Sequence, residues 1–244
     1  MSEIIHVLWT GGWDSTFRVL QALIIENEVV QPHYIIDPAR RTFSDEIIAM
    51  HHIRKQFLNT FPDKASNFLP LNLVHIDSIP LDREITNWYH RLEKKTVMGT
   101  QYEWLARYAK YHPLELELCM EYVPPPNGEQ LFLVFVQPAL KHLGDGHSCR
   151  VEEPYLDPGV EMFSFFRFPV RHLKKDDMRR IAEINGFIDL MRLAWFCENP
   201  ILGLPCGICG SCITARDSGM DYEFYSLITW YLFKQHIRKI FRGK

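Results

Sequence analysis

Cys197, Cys206, Cys209 and Cys212 place four thiols within one sixteen-residue stretch, CENPILGLPCGICGSC. Two successive Cys-x-x-Cys steps supply soft ligands for the corners of a tetrahedron at little loop entropy, which suits Zn²⁺. Gly207 and Gly210 each follow a ligand, where a backbone wrapping an ion often needs positive φ. The alternatives are two disulfides, thiols that are merely buried, or a redox pair. Disulfides need an oxidising compartment, and no export signal is read at the N-terminus. A redox pair has no use for Cys197. The expectation is a structural zinc site closed by all four cysteines.

A second candidate is Thr10-Gly11-Gly12-Trp13-Asp14-Ser15-Thr16, which follows an apolar run and precedes a helical pattern. Glycines let backbone N–H groups approach an anion. Hydroxyls add donors, and a helix N-terminus adds partial positive charge. The loop lacks the spacing and lysine of a Walker A motif. It also lacks the third glycine of a dinucleotide fingerprint. Phosphate binding by backbone and hydroxyl donors is the chemistry it suits.

The elements that must carry these residues alternate. Residues 4–9 read as a buried strand, and residues 15–26 as a helix with Phe17, Leu20, Leu23 and Ile24 on one face. Residues 29–37 form a second strand. A helix starts at Ser44, with Asp45 and Glu46 favourable in its first turn. Residues 71–76 and 114–120 are predicted as strands, with helices over 81–94 and 102–111 between them. Residues 130–143 are apolar on most sides and predict a buried helix; 162–168 predict a fifth strand. Residues 175–185 predict a helix stopped by Gly186. This order implies a parallel sheet with right-handed crossovers. The loop over 123–128 follows a strand, at the edge where ligands sit in open α/β sheets. The aromatic segment 222–233 reads as a helix, serving either core packing or a subunit interface.

Composition narrows the class. The 244 residues are 47% hydrophobic, enough for one sizeable core with a small appendage. No stretch reaches membrane length without charges. A formal net charge of −3 argues against a nucleic-acid partner. The basic end, residues 234–244, reads as a solvated terminal face. Together with free thiols, these features lead to the expectation of a soluble, cytoplasmic protein with no membrane partner. Cys119 reads as a small buried residue. Cys149 with His142 and His147 is a weaker metal candidate. His51 and His52 read as a helix pair rather than ligands.

The loop TGGWDST resembles the S-G-G-x-D-S loop of the PP-loop ATP pyrophosphatases, with Thr10 in place of the first serine. The cysteine spacing is similar to the zinc site of the 7-cyano-7-deazaguanine synthase (QueC) family. Asp37, Arg41 and Glu46 resemble that family's D-x-G-x-R…E stretch, and the run from Pro169 to Lys175 its P-L-x-x-x-x-K segment. A lysine at a helix start opposes the dipole, and a phosphate partner rationalises it. The middle departs from the family. Met98 to Tyr102 stand where it carries V-P-x-R-N, and Glu121 to Gly128 where it carries Y-P-D-C-R.

The resemblance implies an adenine-nucleotide-hydrolase-like (PP-loop, HUP-type) parallel α/β domain over 1–190. A small zinc-binding, helical C-terminal region would span 191–244. Thr10, Gly11, Gly12, Asp14, Ser15 and Thr16 would bind ATP, and Asp14 would handle Mg²⁺ and pyrophosphate. Asp14, Ser15 and Lys175 would be catalytic. The substrate would be a 7-deazaguanine acid, adenylated at its carboxylate. Rival readings are a QueC-like anti-phage enzyme passing the activated deazaguanine to a protein amine, a tRNA-modifying PP-loop enzyme, and a non-enzymatic ATP-binding module. A homodimer through the aromatic C-terminal helix is a further expectation.

Overall fold

A computed structural model describes residues 4–112, 114–123, 131–144, 148–201 and 203–217. Chain order is β1 (Ile5–Leu8), α1 (Trp13–Ile24), β2 (Val30–Ile36), α2 (Phe43–Thr60), β3 (Asn72–His75), α3 (Arg83–Glu93), α4 (Gln101–Tyr111) and β4 (Leu116–Glu117). Then follow β5 (Leu140–His142), β6 (Cys149–Val151), β7 (Phe166–Phe168), α5 (Lys175–Ile184), α6 (Ile188–Met191) and α7 (Gly210–Asp217). The strands form one seven-stranded sheet in the order β3-β2-β1-β4-β7-β6-β5. The first five in that order run parallel, and β6 and β5 are added antiparallel. The chain is therefore α/β with a mostly parallel sheet, compatible with a Rossmann-like fold.

Alternation along β1 decides which helices cover which face. Val7 and Trp9 point into a cluster with Phe17, Leu20 and Leu23 of α1, Ile53 and Phe57 of α2, and Met178 of α5. Leu8 points the other way, to Ile85 and Leu92 of α3 and to Tyr102, Leu105 and Tyr108 of α4. A period of two in the strand thus meets helical stripes on both sides. Asp82 caps α3, accepting from the Glu84 and Ile85 amides at 3.0 and 3.1 Å.

One buried ion pair joins the layers. Arg18 of α1 reaches Glu117 of β4 through Nε at 2.8 Å and Nη2 at 3.0 Å, while Nη1 holds Glu26 at 2.7 Å. Burial pushes the Glu117 carboxyl up, and Arg18 opposes that shift. The two-pronged bond fixes α1 against the centre of the sheet more specifically than apolar contact alone would.

Three sequence expectations change. The strand expected over 114–120 pairs only at Leu116–Glu117. The described part of the helix expected over 130–143 is a wide π turn at Leu131–Val136, a 3₁₀ turn at Gln137–Ala139 and then β5. Pro138 explains why the helical run stops there: with no N–H to donate, it cannot continue the hydrogen-bond ladder of the turn before it. The strand expected over 162–168 is a 3₁₀ turn at Pro158–Phe163, capped by Asp157 on the Gly159 amide at 2.8 Å, followed by β7. The antiparallel β5–β6 pair was not anticipated, so the sheet is not wholly parallel. The basic terminus, the aromatic segment 222–233 and most of the 123–128 loop lie outside the described residues. Among those described, no helix is long and apolar enough to cross a membrane.

Candidate functional site

The strand order reverses at β1. Its connection leads outward to β2 and β3, and the chain then returns to β4 on the other side. Loops leaving β1 and β4 diverge there, which opens a crevice at the carboxyl ends of parallel strands. A cavity of about 910 Å³ lies at this place, bounded by the loop after β1, the segment after β4, α4, the start of α5 and α7. That volume suits a nucleotide-sized ligand.

The loop after β1 is held from outside. Gly11 has φ +70°, and a Cβ there would lie 3.1 Å from the Glu46 carbonyl and from Met50 Cγ. Its own carbonyl accepts from the Trp195 amide at 2.8 Å. Gly12 is the N-cap of α1, and the Thr16 amide bonds its carbonyl at 2.9 Å. Thr10, Gly12, Asp14 and Ser15 line the cavity. Gly11 and Thr16 do not. The Thr16 hydroxyl is buried, accepting from the Trp9 indole N–H at 3.0 Å, so Thr16 braces the loop from behind.

Asp14 and Lys175, expected to act together, do meet. Lys175 Nζ is 3.8 Å from Asp14 Oδ1. A third group joins them: Glu121 forms an ion pair with Lys175 and donates its backbone N–H to Asp14 Oδ2 at 3.3 Å. Burial, then the neighbouring Asp14 charge, push the Glu121 carboxyl up against the pull of Lys175. For Lys175 burial alone would lower the pKa, but Asp14 and Glu121 outweigh it and raise the group. Asp14 Oδ1 is buried without a hydrogen-bond partner. Lys175 therefore faces this oxygen as an ion pair without a hydrogen bond, which leaves a lone pair free for a further cation. Arg171 fixes the segment, donating to the Glu121 carbonyl and to Gln137 at 3.0 Å.

On the β2 side, Arg40 also lines the cavity. Its Nη2 lies 2.8 Å from buried Glu46, which also accepts from Tyr34 at 2.9 Å and Thr42 at 2.8 Å. The arginine beside Glu46 is thus Arg40, whereas Arg41 is exposed. The floor carries His33, 3% exposed. Its Nδ1 is 2.7 Å from the Tyr108 hydroxyl and 3.0 Å from Asn72 Nδ2, and its Nε2 is 2.9 Å from His6 Nδ1. Burial, then His6 and His112, lower its pKa to about 4. Cys119 lines the same wall; burial holds its thiol well above the usual range.

The four cysteines converge. One sulfur from each lies within 4.8 Å of every other, and all four residues are buried or nearly so. Thiolates about 2.3 Å from a tetrahedral zinc lie about 3.8 Å apart, and Cys206 Sγ is 3.8 Å from Cys212 Sγ. The cluster can therefore hold a metal such as zinc. The Cys206 amide donates to Cys197 Sγ at 3.1 Å and the Cys209 amide to Cys206 Sγ at 3.3 Å. Burial pushes the Cys197 thiol up to about 11. At Cys206 burial acts in the same sense, but the Ile208 and Cys209 amides outweigh it and bring the thiol down to about 7. Gly207 has φ +71°, as expected of a wrapping turn, whereas Gly210 simply begins α7. Trp195, Phe196, Ser211 and Thr214, around the cluster, also line the cavity.

The remaining described candidates lie apart from the cavity. Cys149 Sγ is 3.4 Å from His142 Nδ1, and His147 lies outside the described residues. His51 and His52 are exposed neighbours on α2. Sequence reasoning gave no role to Glu121 or Arg40. The only signals were an acidic residue just past β4 and an arginine next to the one singled out.

Fold and site thus define an α/β protein with a mostly parallel sheet, a large cavity at its switch point and a four-cysteine cluster able to hold a metal. No protein-family model matches the chain, and no curated protein matches it.

Proposed function

We propose that the chain is an ATP-dependent PP-loop enzyme of the 7-cyano-7-deazaguanine synthase type. The observation that carries this reading is the meeting of Asp14, from the TGGWDST loop, with Lys175 at the start of α5, inside the switch-point cavity. The four-cysteine cluster supports it through its resemblance to that family's zinc site.

In this reading a carboxylate oxygen of 7-carboxy-7-deazaguanine attacks the α-phosphorus of ATP, and pyrophosphate leaves. Ammonia then displaces AMP, losing a proton and giving the amide. A second adenylation, on the amide oxygen, releases pyrophosphate and one N–H proton; loss of AMP and the other N–H proton then gives the nitrile. The physical need is activation of a poor leaving group together with neutralisation of the departing charge. Thr10, Gly12 and Ser15 offer donors to phosphate, and Lys175 offers positive charge. Mg²⁺, when bound, would neutralise the pyrophosphate; Asp14, whose Oδ1 accepts no hydrogen bond, and Glu121 are the carboxylates suited to hold it. The cysteines take a structural part.

A second reading is favoured by the segments that depart from the family pattern. Gln101, Tyr102, Glu121 and Tyr122 belong to them and line the cavity. A changed pocket can keep the activation step and pass the adenylate to a protein amine.

The test is product analysis with ATP, ammonium and 7-carboxy-7-deazaguanine. Acid-dependent AMP and pyrophosphate are expected, with the acid losing oxygen and gaining nitrogen. A mass increase on a partner protein instead would select the second reading. Release of ADP and phosphate would overturn the PP-loop assignment.

A further inference from the structure

The cavity carries a cation that the reaction above does not use. Arg40 leaves β2 at the carboxyl edge of the sheet and lines the cavity. Three protein groups hold its guanidinium: Thr42 Oγ1 at 3.3 Å from Nε, Gln101 Oε1 at 3.0 Å from Nη1, and Glu46 Oε1 at 2.8 Å from Nη2. A guanidinium has more N–H groups than these partners occupy. The support is rigid, because Glu46 is itself buried and tied to Tyr34 and Thr42.

Gln101 adds to the same surface. Arginine only donates, so the Gln101 oxygen must face Arg40 and its NH₂ group is turned away. That nitrogen has no hydrogen-bond partner among the described residues. Arg40 and Gln101 therefore present N–H donors side by side at a cavity wall. Lys175, by contrast, is already engaged by Asp14 and Glu121. A buttressed arginine with spare N–H groups suits a planar or tetrahedral oxyanion far better than a neutral group.

We infer that Arg40, with Gln101 beside it, is a second oxyanion-binding point of the cavity, distinct from Lys175. The inference rests on the reading of the cavity as a site for nucleotide and acid. The oxyanion is either the carboxylate of the acid or a phosphate of the nucleotide, and the same donors serve both.

Calorimetry on the full chain separates these sources, with ATP as one probe and 7-carboxy-7-deazaguanine as the other. The corresponding neutral nitrile is the control. Arg40→Met removes the donors but keeps the stem, and Glu46 retains Tyr34 and Thr42. Its affinity for one probe is expected to fall about tenfold to a hundredfold, with Arg40→Lys recovering only part of it. A loss confined to the acid, with nitrile and ATP binding unchanged, assigns the carboxylate; a loss for ATP assigns the phosphate. If Arg40→Met fails to fold, Gln101→Glu sets a negative charge against the oxyanion and is expected to weaken the same probe. Wild-type protein that binds either probe, with both folded variants matching it, overturns this inference and leaves the proposed function intact. Wild-type protein that binds neither probe overturns both.

Discussion

The cysteine cluster and the Asp14–Glu121–Lys175 group are built by opposite means. The cysteines come from sixteen consecutive positions, and two of the bonds that shape them are backbone amides reaching sulfurs three and nine residues away. Little beyond their own turn is needed to bring them together. The charged group joins the first turn of α1, the segment after β4 and the start of α5, separated by more than 50 residues at each step. It exists only once the sheet is assembled. Chelation by nearby residues is robust to the rest of the fold, whereas a charge cluster drawn from three elements depends on each of them.

The largest expected effect separates the two regions at the metal. Structural zinc contributes on the order of 10 kcal/mol to small zinc folds. Reduced protein should carry zinc, and Cys209→Ser should lose it and melt at markedly lower temperature. Metal analysis with thermal melting checks this; full zinc content and an unchanged melting curve in the variant would break the contrast.

Changes in the charge group should spare zinc and stability but remove chemistry. Asp14→Ala and Lys175→Met are each expected to lower the rate of AMP and pyrophosphate formation about a hundredfold to a thousandfold. The readout is a pyrophosphate assay on protein of unchanged zinc content. A variant that lost its zinc as well would show the regions to be one cooperative unit.

The third test lies under the cavity. The folded-state pKa of His33, about 4, is below the ordinary histidine value of 6.5. The fold thus favours the neutral ring. Its contribution is present in full above about pH 6.5 and is lost as pH falls toward 4, amounting to about 3 kcal/mol. His6, His112 and Tyr108 face the same ring, and the first two lower its pKa further by charge repulsion. Urea denaturation across this window should steepen for wild type and flatten for His33→Gln. Equal slopes would remove His33 as the cause.

The smallest effect tests how tightly α2 holds the first loop. Gly11→Ala puts a side chain at positive φ, 3.1 Å from the Glu46 carbonyl. A loss of about 1–3 kcal/mol is expected, with weaker ATP binding and normal zinc. Unchanged melting and ATP affinity would show that the loop can shift freely.

Much of the sheet's first half was legible because its signals are local. Residues 4–9, a Gly-Gly turn and a one-sided helical stripe led to β1, the loop and α1. The helix expected over residues 81–94 is α3. Legibility failed where the apolar pattern has no period. Residues 130–143 read as one buried helix, but such a run carries no sign of where a helix must stop, and Pro138 together with pairing to β6 turned its second half into a short turn and a strand. It failed again where one side chain answers another far away. Thr16 looked like a phosphate ligand until Trp9 took its hydroxyl.

By itself, the sequence determined the alternation of strands and helices, the anion-suited loop and the four thiols, because each depends on residues a few positions apart. Only the tertiary structure decided that Glu121 joins Asp14 and Lys175, that Arg40 rather than Arg41 stands on Glu46, and that the residues around the cysteines wall the cavity. Those facts follow from strand order and from which helix covers which face, and both are set by burial summed over the whole chain.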